Sequence, residues 1–450
     1  MAFDWAAFGV DLHLDLPAGS RRAGLERSLR SAIRSGRLAP GSRLPATRAL
    51  AGSLGVARGT VAAAYDQLVA EGYLTARTGS GTTVAPVPPP VSFAPSAASP
   101  APPRFDLRPG APDVTAFPTA AWLRATRRAL SAAALDYGDP RGHPSLRAAL
   151  AEYLGRARGV LAHPDRIVVT SGYVQALSLL AALHPVVAME DPGLAFHRAV
   201  ARRSGAVVVP LPVDGSGART DLLDSTVDAV VLTPANQYPT GVTLAPARRH
   251  AVAAWARASG GLVIEDDYDG EFRYDRQPVG AVQGMAPEQV AYVGTAAKTL
   301  APGLRLGWVV LPARLVEAVV EAKRHTDYHT EVVGQLTLAE LITSHGYDRH
   351  VRAARSRYRA RRDLLLSRLR GEPVRGVAAG LHALVPLPPG GPRESDVLAS
   401  AARHGLALGD LGSHWHAPGD HPQGLIVGYG TPSESRYPAA LDVLARVLRA

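Results

Sequence analysis

The apolar residues of this chain follow two different periods. From Arg21 they recur at three- and four-residue spacing, which is typical of amphipathic helices. A helical pattern over residues 44–72 is broken once, at Leu54-Gly55-Val56, and this spacing predicts a helix-turn-helix. Residues 73–84 predict two short strands around a Gly-Ser-Gly turn, as in a wing. The expected core of this region is formed by Leu50, Leu54, Val56, Val61, Tyr65 and Leu68.

Beyond residue 105 the apolar residues form continuous runs that end in polar residues. Such runs are typical of parallel strands that are buried on both faces. Their polar ends meet at the carboxyl edge of an open α/β sheet, which is where such sheets bind ligands. Between the two patterns, residues 85–104 are rich in proline and small residues and predict an extended linker. The predicted organisation is a winged helical domain at 1–84, a linker at 85–104 and an α/β domain at 105–450, with strands at 166–170, 228–233 and 261–266.

The composition excludes several classes of protein. The chain has 450 residues and no cysteine, so it has neither a disulfide nor a thiolate metal site, and no metal ligands are predicted. It contains no signal peptide and no uninterrupted apolar stretch of membrane-spanning length, which predicts a soluble cytoplasmic protein without a membrane partner. The net charge of +10 favours a nucleic-acid partner, although arginine-rich chains from GC-rich genomes are also basic.

The charge of residues 20–84 is strongly asymmetric. Ten arginines stand against Glu26, Asp66 and Glu71, which leaves a balance of +7. The arginines fall at the helix starts and on the wing, where DNA-binding domains contact phosphates. The alternative is an arginine-rich helical bundle whose charges are merely solvated.

Four signatures in this segment resemble the GntR family of winged-helix DNA-binding domains. They are GRLAPGSRLP at 36–45, LGVARGTV at 54–61, AYDQLVAEGYL at 64–74 and GSGTTV at 79–84. Ala46 and Ala57 stand where the family usually has serine, so two minor phosphate contacts are missing or replaced. The resemblance implies contacts with double-stranded DNA from Arg43, Arg48, Arg58, Thr60, Arg77, Ser80 and Gly81.

A second group of candidate residues surrounds the lysine in the sequence VGTAAKT at 293–299. Lys298 has no carboxylate nearby in the sequence, and a buried lysine of this kind loses its proton or forms a Schiff base with an aldehyde. Thr295 and Arg305 add a hydroxyl and a planar guanidinium, a combination that suits a phosphate. The alternative is a surface loop with a solvated lysine.

Residues at two other strand ends would complete such a site. Asp266 follows an apolar run and could pair with a protonated pyridine nitrogen, and Tyr268 could donate to a phenolic oxygen. The strand, glycine turn and helix at 166–177 predict free backbone N–H groups where the helix starts. These groups would form a phosphate cup at Gly172, Tyr173 and Val174.

The order of acid, lysine and arginine resembles fold-type I aminotransferases of the aspartate aminotransferase class. The resemblance implies pyridoxal 5'-phosphate (PLP) as cofactor, bound to Lys298 as a Schiff base. It also implies that Tyr137 reaches into the phosphate site of the neighbouring subunit, and hence a homodimer; the alternative is a half-buried structural tyrosine. Tyr268 would bond the ring oxygen of PLP together with Asn236 or Tyr238, which both remain candidates.

Two positions depart from the aminotransferase pattern. Leu194 stands where the family usually stacks an aromatic residue on the cofactor, unless Phe196 or His197 takes that place. Ile426 stands where aminotransferases carry an arginine that grips the substrate carboxylate. An isoleucine cannot do so, and we therefore expect an anchored cofactor beside a substrate pocket that lacks its usual anchor.

A further arginine-rich segment lies after the lysine region. Residues 349–370 carry nine arginines in a helical pattern. We expect a solvated helix face or a dimer surface, and an auxiliary DNA-binding surface is the alternative.

The chain as a whole resembles the MocR/GabR-type transcription regulators. The implied fold is multidomain: an N-terminal α+β winged helix-turn-helix, a proline-rich linker and an α/β fold-type I aminotransferase-like domain. The implied function is a PLP-binding regulator whose two heads read two operator half-sites, with PLP itself (as in the PdxR-like branch) or an amino compound as effector. Two alternatives remain: an active aminotransferase with a DNA-binding appendage, which Ile426 weakens, and a regulator with a vestigial PLP site, which Lys298 and Asp266 weaken.

Overall fold

A computed structural model of the protein describes residues 21–77, 81–86, 102–131, 135–275 and 279–449. The chain divides into two compact units, Met1–Pro100 and Ala101–Ala450. Most of the predicted linker, at 87–101, lies outside the described residues. The helices are α1 (Arg21–Arg34), α2 (Thr47–Leu54), α3 (Arg58–Ala70), α4 (Thr119–Leu130), α5 (Pro144–Arg158), α6 (Tyr173–Ala181), α7 (Ala195–Arg203), α8 (Pro246–Ser259), α9 (Val316–Thr326), α10 (Val332–Thr343), α11 (Gly346–Arg368), α12 (Glu394–Arg403) and α13 (Tyr437–Arg449). The strands are β1 (Leu74–Arg77), β2 (Gly81–Val84), β3 (Phe105–Asp106), β4 (Ile167–Thr170), β5 (Val186–Asp191), β6 (Val207–Asp214), β7 (Gly217–Ala218), β8 (Ala229–Leu232), β9 (Leu262–Asp266), β10 (Val290–Thr295), β11 (Gly307–Val310), β12 (His382–Pro386), β13 (Leu406–Ala407), β14 (Gly409–Asp410) and β15 (Gly424–Gly428).

The first unit is a winged helix-turn-helix. In the turn between α2 and α3, Gly55 adopts a left-handed conformation with a φ of 62°, which glycine reaches without steric cost. The Tyr65 hydroxyl donates to the carbonyl of Pro45 at 3.0 Å and ties α3 to the segment before α2. β1 and β2 pair antiparallel and form the predicted wing. The three helices and the wing enclose one core, which includes Leu25, Leu29, Leu50, Val61, Leu68 and Leu74.

The second unit is built around an eight-stranded mixed sheet in the order β4-β11-β10-β9-β8-β5-β6-β7. β10, β9, β8, β5 and β6 are parallel, whereas β11 runs antiparallel to both of its neighbours. Alternate side chains of a strand enter two different cores. Val168 and Val309 pack with α6 and α9, while Ile167 and Trp308 pack with α5 and α10. Burial on both faces explains why these strands appear as apolar runs in the sequence.

The strand register brings two predicted site residues to the same edge of this sheet. Asp266, the last residue of β9, is paired with Val293 near the end of β10. The loop after β10 carries Lys298. At the other side of β10, Gly307 of β11 is paired with Thr170, the last residue of β4, and α6 begins three residues later. The carboxyl ends of β4, β9 and β10 therefore surround one common space.

The C-terminal part of the second unit has its own sheet. β12, β15 and β14 form an antiparallel sheet, and β3 pairs in parallel with β13. α11, α12 and α13 pack around a core that includes Tyr358, Leu365, Val397, Leu425 and Leu441. This lobe contributes His382 and Ile426, on two adjacent strands, to the region beside the predicted site.

The arginine-rich segment forms α11, but it is not only a solvated face. Arg361 is buried, and its Nη2 donates to Asp113 at 2.7 Å. Its Nη1 donates to the carbonyls of Tyr429 and Gly430. At least one of the nine arginines thus ties the lobe together. Within the described ranges, no helix has both the length and the apolar character needed to cross a membrane.

Candidate functional site

A cavity of about 360 Å³ lies at the carboxyl ends of β9 and β10. Most of the residues predicted for the cofactor site line it. They are Tyr173, Val174, Asp266, Tyr268, Thr295, Lys298 and Arg305.

Lys298 lies in the cavity wall and is hydrogen-bonded to the main chain. Its Nζ donates a hydrogen bond to the carbonyl oxygen of Gly110. Burial lowers the pKa of Lys298 below its usual value, although the nearby carboxyls of Asp269 and Asp266 oppose this effect. A lowered pKa increases the fraction of neutral amine, which is the nucleophilic form.

Asp266 lines the same cavity, and one of its carboxyl oxygens has no hydrogen-bond partner in the described part of the chain. Its side chain is buried, and Oδ1 has no hydrogen-bond partner among the described residues. Burial raises the pKa of Asp266 well above its usual range, and the charge of Lys298 only partly opposes this. A buried carboxyl oxygen without a partner is unfavourable, so the position suits a ligand that brings an N–H donor.

A cradle for an anion lies at the start of α6. Gly172 precedes this helix with a φ of 111°, and no side chain caps the free N–H groups of the first turn. A Cβ at Gly172 would lie 3.1 Å from Nη2 of Arg305, a tight contact, and the positive φ by itself favours glycine there. The Arg305 side chain has no hydrogen-bond or ion-pair partner within the described ranges. Thr295 lines the same cavity.

Asn236 and Tyr268 are hydrogen-bonded to each other, but only Tyr268 lines the cavity. The Tyr268 hydroxyl donates to the backbone carbonyl of Asn236 at 2.9 Å. The amide Nδ2 of Asn236 donates to Oδ2 of Asp269 at 2.9 Å. Asn236 thus lies behind Tyr268, while Tyr238, the other candidate, is in the cavity wall. Sequence reasoning missed Asp269, whose pKa burial raises to about 8; the acidic run EDDYD at 265–269 was the available signal.

His197, rather than Phe196, provides an aromatic ring beside Leu194 in the cavity wall. The centroid of the His197 ring lies 4.5 Å from that of Tyr173. Burial lowers the pKa of His197 to about 3, so the ring is neutral near pH 7. Phe196 is 58 % exposed and does not line the cavity.

Tyr137 is not part of this cavity. Its side chain is 80 % exposed, and its ring packs edge-on against Tyr328 and His329. The expected contact with a neighbouring subunit stays a prediction.

The candidate DNA-contact residues of the first unit lie on exposed parts of the winged helix. Arg58 and Thr60 are in the first turn of α3, Arg48 is in α2, and Arg77 ends β1. Arg43 lies against the wing, because a Cβ at Gly81 would be 3.1 Å from its Nε. Ser80 lies outside the described residues.

These arginines differ from others in the same unit. Within the described ranges, no acidic partner is bound to Arg43, Arg48, Arg58 or Arg77. In contrast, Arg30 forms an ion pair with Glu71 at 2.7 Å, and Arg22 pairs with Glu26. The unpaired guanidinium groups are free to bind phosphates.

Two family models match the chain. Residues 105–403 match aminotransferase class I and II, and residues 22–84 match bacterial regulatory proteins of the gntR family. The aminotransferase match covers more than half of the chain, and together the matches confirm the predicted fold class.

The chain is also similar to named regulators and to solved enzymes. It is 32 % identical over 421 residues to the HTH-type pyridoxine biosynthesis transcriptional regulator PdxR of Corynebacterium glutamicum, covering 91 % of this chain and 92 % of the relative. It is 34 % identical to the "Probable rhizopine catabolism regulatory protein MocR" of Rhizobium meliloti, covering 80 % and 78 %. The fold resembles that of Pyrococcus horikoshii kynurenine aminotransferase, with a TM-score of 0.70, 26 % identity and coverage of 77 % and 90 %.

Proposed function

The chain belongs to the MocR type of DNA-binding transcriptional regulator, in which a GntR-family winged helix is joined to an aminotransferase class I and II domain, and we propose that it binds PLP and reports PLP occupancy to DNA. The observation that carries the proposal is the pairing of Lys298 with Asp266 in one cavity, where Oδ1 of the acid has no partner in the described part of the chain.

The residues of the cavity fit PLP at each of its functional groups. PLP would supply an aldehyde, and the Lys298 amine would hold it. Asp266 would keep a proton on the pyridine nitrogen, and the Tyr268 hydroxyl, which donates to the Asn236 carbonyl in the single chain, would donate to the phenolic oxygen instead. Thr295, Arg305 and the first N–H groups of α6 would hold the phosphate. The unpaired Arg305 guanidinium beside Gly172 supports this assignment.

We infer that PLP itself is the signal. The motive is the contrast between a complete set of cofactor residues and Ile426, which replaces the arginine that would anchor the carboxylate of an amino-acid substrate. The regulator of C. glutamicum to which the chain is similar is named for pyridoxine biosynthesis, and this supports the inference. An amino compound that reacts with bound PLP is the second candidate for the effector.

The proposed readout is a homodimer whose two winged helices bind two half-sites of an operator. Tyr137 of each subunit would complete the phosphate site of the other, which its exposure in the single chain supports. PLP changes the arrangement of the heads only to the extent that it binds one arrangement more tightly than the other. An active aminotransferase with a DNA-binding appendage is the alternative; Lys298 and Asp266 in one cavity would serve it equally well, but Ile426 weakens it.

The lysine content of the chain allows a direct test. The sequence contains only two lysines, Lys298 and Lys323. Lys323 is buried and ion-paired with Asp327 at 2.8 Å, so it serves as an internal control. We expect reduction of the PLP-loaded protein with borohydride, followed by peptide mapping, to find the phosphopyridoxyl group on Lys298 alone.

The regulatory part requires a second measurement. Operator affinity of the wild-type protein should change when PLP is added, and that of Lys298→Ala should not. Labelling of Lys298 without any change in DNA affinity, together with transamination of common amino acids at enzyme-like rates, would favour the alternative. Labelling of Lys323, or of neither lysine, would contradict the proposed site.

A further inference from the structure

The cavity wall contains two residues that the proposed cofactor contacts do not use. They are Tyr238 and His382, which both line the cavity. Their rings are in edge contact, with centroids 5.0 Å apart. We call these two residues the distal wall. Ile426 does not line the cavity; it is fully buried in an apolar cluster with Leu384 and Leu411, against which Tyr238 packs.

His382 is a buried polar side chain that is not satisfied. It is 6 % exposed, and its Nε2 has no hydrogen-bond partner among the residues that the structure describes. Burial lowers the pKa of His382 to about 4, so the ring is neutral near pH 7. A neutral imidazole has one donor and one acceptor, and because the backbone carbonyl of Pro239 accepts a hydrogen bond from this ring, the ring offers a ligand an uncharged acceptor. It therefore suits a hydroxyl or amino group better than a carboxylate.

Arg198 also lies in the cavity wall, but its guanidinium is already hydrogen-bonded to the main chain. Its Nη1 donates to the carbonyl of His414 at 2.8 Å, and its Nη2 donates to that of Trp415 at 2.9 Å. Nη1 also donates to the carbonyl of Gly193. Arg198 thus holds the segment before β15 against the start of α7 and is not free to form a bidentate pair with a ligand carboxylate.

An acidic residue lies in the small sheet next to the strand that carries Ile426. Asp410 of β14 is paired with Leu425 of β15, and its charge adds to the effect of burial in raising the pKa of Tyr238. Although burial opposes it, hydrogen bonds from Ser413 hold the pKa of Asp410 below its usual range, so this carboxylate is ionised near pH 7. A negative charge on this side favours a neutral or cationic ligand group and disfavours an anionic one.

We propose that the distal wall binds the hydrogen-bonding end of a primary amine that lacks a carboxylate, so that such amines are a second ligand class of the cavity. The proposal rests on the proposed function, because it requires PLP in the half of the cavity between Asp266 and Arg305. An α-carboxylate would be desolvated beside Tyr238 and the apolar cluster of Ile426, near the negative charge of Asp410, with Arg198 already engaged. The wall thus selects against the α-amino acids that aminotransferases use.

The test compares ligands that differ by one carboxylate. Full-length protein is loaded with PLP, free PLP is removed, and loading is verified by absorbance. Calorimetric titrations then compare ethanolamine with serine, and cadaverine with lysine. We expect each amine to bind at least about tenfold more tightly than its amino acid, the order of discrimination that one unpaired polar group causes in a buried site.

Two variants assign this selectivity to the distal wall. His382→Phe keeps an aromatic ring but removes both nitrogens, and we expect it to weaken ethanolamine binding about tenfold while PLP loading is unchanged. Ile426→Arg should reverse the preference in favour of serine. Because a buried arginine can prevent folding at that position, His382→Phe alone is sufficient to decide.

The outcomes separate the two proposals. Protein that takes up no PLP would contradict the proposed function and with it this inference. Protein that takes up PLP, but binds serine as tightly as ethanolamine or binds neither, would overturn only the inference. The same holds if His382→Phe retains the full preference for the amines.

Discussion

The two candidate sites of this protein use charge in opposite ways. The four candidate DNA-contact arginines of the winged helix, Arg43, Arg48, Arg58 and Arg77, are exposed and have no acidic partner in the described ranges, whereas the carboxyls of Asp266 and Asp269 are buried beside Lys298. In the winged helix, each of these guanidinium groups would bind a phosphate at the solvent-exposed surface, where salt screens the interaction. In the cavity, burial shifts the pKa values of Lys298, Asp266 and Asp269, and a change in one group alters the others. The first site should therefore respond to substitutions additively, and the second should not.

The largest effect that distinguishes the two regions is expected from Asp269. Its pKa in the folded protein is about 8, so it is protonated there over a pH range in which it is ionised in the unfolded chain. Its contribution to stability is present at low pH and is lost as the pH rises toward 8. Relative to Asp269→Asn, which cannot ionise, the wild-type free energy of unfolding should fall by up to about 1.4 kcal/mol per pH unit between about pH 5 and pH 8.

Urea denaturation of PLP-free protein at several pH values measures this difference. Asp410→Asn is the matched control. Because hydrogen bonds from Ser413 hold the pKa of Asp410 below its usual range despite burial, it is ionised in both states above about pH 5, and its difference from wild type should be flat there. A flat difference for Asp269→Asn as well would show that the cavity does not couple protonation to folding.

A smaller effect is expected from Asp266→Asn on PLP affinity. The substitution keeps the shape of the side chain but removes the charge that would hold a proton on the pyridine nitrogen. A charge-assisted hydrogen bond contributes about 1.5–3 kcal/mol, so the Kd for PLP should rise about 10- to 100-fold in an absorbance titration. Tyr268→Phe, which removes a neutral hydrogen bond, should cost about tenfold or less. Equal losses in the two variants would argue against an ionic role for Asp266.

In the winged helix, we expect smaller and separable effects on DNA binding. Arg48→Ala and Arg58→Ala should each reduce the slope of log K against log salt by about 1, and the double variant by about 2. Arg30→Ala is the control, because its guanidinium is bound to Glu71. Fluorescence anisotropy with operator DNA at several salt concentrations measures the slopes. If Arg30→Ala changed the slope as much as Arg58→Ala, the division into free and paired arginines would be wrong.

The smallest effect is expected at the N-terminal caps of α2 and α3. Ala46 and Ala57 occupy the N-cap positions of α2 and α3 without a capping side chain. Ala57→Ser should stabilise α3 by about 1 kcal/mol through a bond to a free N–H group. Hydrogen exchange of the α3 amides in the full-length protein would report the gain. Ala63→Ser, in the middle of the same helix, should give no gain, and equal protection in both variants would rule out capping as the cause.

The features predicted well from sequence were those in which local pattern and contact coincide. The turn at Gly55, the wing and the apolar strands that end at Asp266 and Thr295 follow from periodicity, and the strand register then brings Asp266 and Lys298 together. The resemblance to two families added the roles of single residues. Periodicity and family resemblance both assign properties to single positions of the sequence, and neither gives contacts between distant segments.

What was missed depends on contacts between distant segments. Arg361 was one of nine arginines in a helical pattern, and only the fold shows that it binds Asp113, which is 248 residues away. Asn236 was expected at the cavity, but its amide turns to Asp269 behind Tyr268. His382 was not predicted as a site residue, because nothing in its neighbourhood in the sequence indicates that its Nε2 is unsatisfied. Tertiary packing decides how deeply a side chain is buried and which group it bonds to, and the spacing of residues in the sequence does not predict either.

The bond from Lys298 to the carbonyl of Gly110 joins the reactive amine to the first stretch of the second unit. Gly110 lies close behind the predicted tether, which ends at residue 104. An aldehyde that condensed with the amine would compete with that carbonyl for Lys298, while the N–H groups of Phe105 and Leu107 still donate to Gly405 and Ala407 and keep the same stretch on the second unit. Cofactor uptake would therefore change a contact at Gly110 within a few residues of the tether, and it would do so without detaching the tether from the lobe.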